Sequence, residues 1–128
     1  MSALKKIDSI MFRVKDLAMS AKFYVEELGM KQVWQDDENN MIGLIFPESD
    51  SEIVLHSNKE IPSPDFSFLV DNVEVFVKDF IGKGYKLVNR PIHVRSGKFT
   101  TLSDLDGNLI PIIDLTKFGN KPRYDKYF

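Results

Sequence analysis

A pattern that occurs twice constrains this chain more than any other feature. Phe12-Arg13-Val14-Lys15-Asp16-Leu17 can be laid over Phe68-Leu69-Val70-Asp71-Asn72-Val73, and Gly29 over Gly84. In each copy an alternating stretch runs into a capping residue, a helical apolar stripe and a glycine, and three further strand candidates follow. Self-similarity of this length bounds the architecture before any single element is assigned. It predicts an α+β fold of two strand–helix–three-strand (βαβββ) modules, over residues 5–58 and 64–116, forming a curved eight-stranded mixed sheet around a cavity. Residues 1–116 are read as one domain and residues 117–128 as a tail, in which Phe118, Tyr124, Tyr127 and Phe128 stand among charges.

Within the first module, Ile10, Phe12 and Val14 alternate with Ser9, Met11 and Arg13, which is a strand signal over residues 7–14. Asp16 offers a helix N-cap, Leu17, Ala21, Tyr24 and Leu28 recur at helical spacing, and Gly29 closes the helix. Strands are predicted at residues 31–35, 41–46 and 52–56, separated by polar turns. Residues 58–64 hold two prolines and mixed charge and read as a linker. In the second module a strand spans residues 65–70, and Asn72 caps a helix from Val73 to about Lys83 with Val73, Phe76, Val77, Phe80 and Ile81 as its stripe. Strands follow at residues 85–88, 98–102 and 109–114, with a tight turn at Asp106-Gly107-Asn108.

A strand that packs one face on a helix leaves its other face free, and the free faces of such modules can line a mostly apolar pocket. Period-two geometry then sorts the side chains. Ser9, Met11 and Arg13 of the first strand are expected on the free face, with Val54 and His56 of the fourth. Asp65, Ser67 and Leu69 of the fifth, Phe99 and Thr101 of the seventh, and Leu109, Pro111 and Ile113 of the eighth join them. A register slip of one residue would reverse any of these.

Composition narrows the function classes. The chain has 128 residues, enough to bury a core without staples. It has no cysteine, which excludes disulfides, thiolate metal sites and a cysteine nucleophile. A net charge of −2 argues against a nucleic-acid partner, which calls for a basic face. No apolar run approaches the ~20 residues of a membrane span, and Met1-Ser2-Ala3-Leu4-Lys5-Lys6 leads into alternation rather than a secretory signal. A cytoplasmic location without membrane or nucleic-acid partners is expected. Gly82-Lys83-Gly84 is a helix ending and not a phosphate loop, and no serine stands in a nucleophile elbow.

Two stretches resemble a known family. Ile10-Met11-Phe12-Arg13-Val14-Lys15-Asp16-Leu17, with Ser20, Phe23-Tyr24 and Leu28-Gly29, is similar to the opening of the vicinal oxygen chelate superfamily. That superfamily includes glyoxalase I, extradiol dioxygenases, fosfomycin resistance enzymes and bleomycin resistance proteins. Asp104-Leu105-Asp106-Gly107-Asn108-Leu109-Ile110 resembles its closing Asp-Pro-Asp-Gly-Asn signature, with Leu105 in place of the proline. The resemblance covers residues 7–114 and implies the fold above. It also implies that enzymes of this kind hold a divalent metal with His and Glu on inward strand positions, and that homodimers are common. Carried over singly, those positions fall on Ser9, on or near Val54, on Asp65 and on Pro111. Serine is a poor ligand for such metals and valine and proline side chains offer no donor. No metal site and no cofactor are therefore expected, although a divalent metal at displaced positions stays open.

Several residues can be read in two ways. His56 can project into the cavity as a general base, an anion contact or a metal ligand beside Asp65, and is the best catalytic candidate. It can equally be a half-exposed strand end. Arg13 resembles the glyoxalase arginine that binds a substrate carboxylate, and an inward arginine suits such bidentate contacts. It can instead pair structurally with Asp65. His93 sits in an expected loop. Trp34, Met11, Phe99 and Phe46 can wall a flat ligand or simply fill core. Arg13, His56, Ser9, Met11, Trp34, Asp65, Phe99, Thr101 and Pro111 are thus the expected ligand-binding set. Three functions compete: metal-independent binding of a small molecule, for sequestration or detoxification as in bleomycin resistance proteins; a metal-dependent lyase, isomerase or dioxygenase with a relocated metal; and an interface module. The first is preferred, with a homodimer expected.

Overall fold

The structure is a computed structural model and describes residues 4–119. In chain order it contains β1 (Lys6–Arg13), α1 (Leu17–Glu26), β2 (Lys31–Asp36), β3 (Met41–Ile45), β4 (Glu52–His56), β5 (Asp65–Leu69), α2 (Val73–Gly82), β6 (Ile92–His93), β7 (Lys98–Ser103), β8 (Leu109–Ile113) and a 3-10 turn (Thr116–Phe118). The α+β class, with parallel and antiparallel strand pairs, is the one the duplicated pattern predicts. Among the described residues, 9–66 form one compact unit and 4–8 with 67–119 form the other.

In the first unit the strands lie in the order β2-β3-β4-β1. β1 runs parallel to β4, while β2–β3 and β3–β4 are antiparallel. Parallel strands need a crossover between them, and the path through α1, β2 and β3 supplies it. Asp16 caps α1 by accepting the Met19 N–H at 3.0 Å. Gly29 follows the helix at φ 76°, a left-handed conformation that a residue with a Cβ adopts only under strain. Leu17, Ala21 and Tyr24 of α1 pack against Phe12, Val14, Met30, Ile42, Leu44, Ile53 and Leu55. Leu28, expected in this stripe, is exposed because it lies beyond Glu26, where the helix has already ended.

The second unit repeats the plan in the order β5-β8-β7-β6. β5 is parallel to β8, and β7 is antiparallel to both β8 and β6. Asn72 caps α2 through the Val75 N–H at 3.0 Å. Val73, Phe76, Val77 and Phe80 close over Phe68, Val70, Leu102, Ile110 and Ile112. Ile81 is exposed instead of joining this stripe. Lys5, before β1, belongs here: its N–H donates to Leu69 O at 2.7 Å, and its ammonium pairs with Asp71 at 2.8 Å.

The strand predicted over residues 85–88 is not formed. Gly84 has φ 94°, the Tyr85 N–H turns back to Phe80 O, and the Tyr85 ring stacks on Phe80 at 5.0 Å. Leu87 then makes a single bridge to Leu102. Past it, the Asn89 side chain takes the Thr101 N–H at 3.1 Å and so diverts the ladder. Pro91 has no N–H to donate. Pairing resumes only at Ile92 and His93, which oppose Phe99 and Lys98. His93, expected in a loop, therefore sits on a two-residue exposed edge strand.

Candidate functional site

The α1 side of the first sheet holds the even-numbered residues of β1, so the opposite face carries Ser9, Met11 and Arg13. The register extends this face into three rows. Ser9 opposes Glu52, which opposes Ile45; Met11 opposes Val54, then Gly43, then Trp34; Arg13 opposes His56, then Met41. Of the expected site residues, Ser9, Met11, Arg13, Trp34 and His56 are thus brought onto one face.

Trp34 reaches across this face because Gly43 has no side chain. A Cβ added to Gly43 would overlap the indole. The ring thereby spans β3, and its Nε1–H donates to Glu52 Oε2 on β4 at 2.6 Å. Glu52 is only 4% exposed and Trp34 only 5%. Sequence reasoning overlooked Glu52 and treated it as the start of a strand. The signal was present, since Glu52, Val54 and His56 alternate and must share a face.

His56 is fully buried, not the half-exposed strand end that was one of its readings. Its Nδ1 accepts the Asn58 N–H at 3.1 Å, while its enclosed Nε2 makes no hydrogen bond among the described residues. Burial pulls the imidazole pKa below 6.5, the Arg13 charge lowers it further, and Asp65 acts in the opposite sense. His56 is accordingly a neutral ring at pH 7.

Arg13 does not leave its guanidinium open. Nε donates to Asn58 O at 3.3 Å and Nη2 to Ile61 O at 2.5 Å, while its main-chain N–H donates to Ser63 Oγ at 3.0 Å. It straps residues 58–63 to the end of β1. Asp65, at the start of β5, is half-buried. Phe46, considered for the apolar wall, is exposed just beyond β3.

The second unit holds the rest of the expected set. Thr101 opposes Pro111, and Phe99 opposes Ile113 on the same face. The other face carries Leu102, Ile110 and Ile112 under α2. Thr101 and Pro111 are buried, and Phe99 is half-buried.

Two units of one strand–helix–three-strand plan, each pairing its first and last strands in parallel, define a duplicated α+β class. The profile of the Glyoxalase/Bleomycin resistance protein/Dioxygenase superfamily matches residues 6–112, and the chain belongs to that superfamily. Among curated protein sequences none matches it significantly. Its fold is similar to methylmalonyl-CoA epimerase from Mycobacterium tuberculosis, with TM-score 0.66, 18% identity, and 96% of this chain and 93% of that one covered. It is similar to a variant of Streptomyces coelicolor methylmalonyl-CoA epimerase solved with 2-nitronate-propionyl-CoA, with TM-score 0.63, 18% identity, and 88% and 98% covered. A superfamily member from Vibrio splendidus 12B01 gives TM-score 0.55, 15% identity, and 88% and 98% covered.

The divalent metal associated with this superfamily can be tested against the residues present. The resemblance places its ligands on Ser9, on or near Val54, on Asp65 and on Pro111, and serine, valine and proline side chains at those positions do not fit a transition-metal ion. Among the described residues no group of three or more His, Asp or Glu side chains is placed to hold one. No helix among them is long and apolar enough to cross a membrane.

Proposed function

We propose that this protein binds a small organic molecule without a resident metal ion, as a sequestering or detoxifying member of its superfamily. The observation that carries this reading is the residue set: Ser9, Val54 and Pro111 stand on or near the positions where the resemblance implies ligands, while the face that Ser9 and Val54 share in the first unit pairs an apolar row with buried polar groups. Sites that bind by shape and a few placed polar groups have this composition. Elemental analysis of protein purified without chelator or affinity tag tests it. The expected result is no stoichiometric zinc, nickel, iron or manganese, with none taken up on titration. Stoichiometric metal would overturn the reading.

A second reading, a metal-dependent lyase, isomerase or dioxygenase with its metal moved to His56 and Asp65, is favoured by one observation. The Asp65 charge acts on the His56 ring, so the two lie within electrostatic reach. Under that reading His56→Ala abolishes metal uptake.

A further inference from the structure

The buried ring of His56 carries a hydrogen-bonding group for which the described residues supply no partner. Because the Asn58 N–H donates to Nδ1, that nitrogen holds its lone pair, and the proton of the neutral ring sits on Nε2. A buried donor left unpaired is costly, and native proteins keep one where a bound partner completes it or a functional site needs it. The neighbouring cation cannot be the partner. Arg13 is itself a donor, and it already reaches Asn58 O and Ile61 O. Its positive charge favours an incoming atom with negative character. One row along the strands, about 7 Å away, lie Met11, Val54 and the Trp34 ring over Gly43.

We propose that His56 Nε2–H donates to a carbonyl or carboxylate oxygen of a small molecule whose flat apolar body lies along the Met11–Val54–Trp34 row. This rests on the small-molecule reading above and names the chemistry of its ligand.

The chain has two histidines and one tryptophan, which makes the test direct. His93 on β6 is exposed and serves as an internal control. Full-length protein labelled with 15N-histidine is titrated with benzoate and with benzamide, which present the same flat body with a charged and a neutral acceptor. The expected result is an Nε2–H tautomer at His56, whose nitrogen and proton shift saturably with the probe while His93 does not move. Response to both probes marks a carbonyl acceptor, and response to benzoate alone marks a carboxylate. His56→Phe is expected to raise the probe concentration that half-saturates the Trp34 fluorescence change about tenfold, and His56→Gln, which keeps a donor, to leave it nearly unchanged. The wild-type titration decides the matter should His56→Phe not fold. An Nδ1–H tautomer overturns the proposal, as does an Nε2–H bound to a water that neither probe displaces. A saturable Trp34 change with His56 Nε2 unmoved overturns the role of His56 but leaves small-molecule binding standing. Silence of both signals with both probes overturns both.

Discussion

At the scale of single residues, two neighbours of the polar rows make different kinds of claim on stability. His56 is neutral and buried, so its folded pKa lies below the 6.5 of the free side chain. The unfolded chain therefore binds more protons than the native one as pH falls through 6.5, and stability drops with it. The contribution is complete above 6.5 and is lost progressively toward the depressed folded value. Urea midpoints are expected to fall between about pH 7.5 and 5.5 in the wild type and to fall less in His56→Gln. A wild-type midpoint that stays level over that range would contradict the assignment. Gly43 works by absence. A methyl there displaces the indole and separates Trp34 from Glu52, which breaks the buried Nε1–H to Oε2 hydrogen bond. Gly43→Ala is expected to cost about 2–4 kcal/mol, overpacking and the lost hydrogen bond together. A red-shifted Trp34 emission should accompany it, because the only tryptophan then moves toward water.

At the scale of elements, Asp114 does for the second unit what no stretch of pattern announces. It sits just past β8 and is 1% exposed. Oδ2 accepts the Val73 N–H at 2.7 Å, where the N-terminus of α2 is short of acceptors. Oδ1 accepts the Lys98 N–H at 3.0 Å and the Thr116 hydroxyl at 2.8 Å. One carboxylate thus joins the start of a helix, the start of β7 and the 3-10 turn. Gly97 makes room for it, since a Cβ there would overlap Oδ1. Asp114→Ala strands several buried donors, and a loss of about 3 kcal/mol is expected in chemical denaturation. The Asn72 cap is a smaller matter, worth about 1 kcal/mol.

At the scale of the whole molecule, residues 4–8 belong with the unit of residues 67–119 and not with that of residues 9–66. Lys5 is tied to Leu69 and Asp71, more than sixty positions away. The magnitudes say which tie matters. The ion pair is half exposed at both ends, so Lys5→Ala should cost no more than about 0.5 kcal/mol, and salt should remove the difference. The main-chain bond from Lys5 to Leu69 survives that substitution. A loss of several kcal/mol would mean that the pair holds more than its exposure allows.

What the sequence by itself determined is the repeated plan: two alternating strands entering capped helices, the glycines that end those helices, the turn at Asp104–Asn108, and the family. These follow from local chemistry, because capping, left-handed glycines and period-two alternation act within a few residues. The Asp104 turn shows this well, as its carboxylate collects the Asp106 and Asn108 N–H groups and the Asn108 amide, which hold its pKa below the usual value, the Asn108 amide foremost. The free-face assignments of Ser9, Met11, Arg13 and His56 were legible for the same reason. Tertiary structure alone decided the rest. Asn89 diverted a strand that residues 85–88 suggested, by competing for the Thr101 N–H across the sheet. Arg13 went to linker carbonyls, and Glu52 became a buried partner of Trp34 through a gap left by Gly43 on the strand between them. Hydrogen bonds between residues distant in sequence depend on which strands lie side by side, and no local period encodes that.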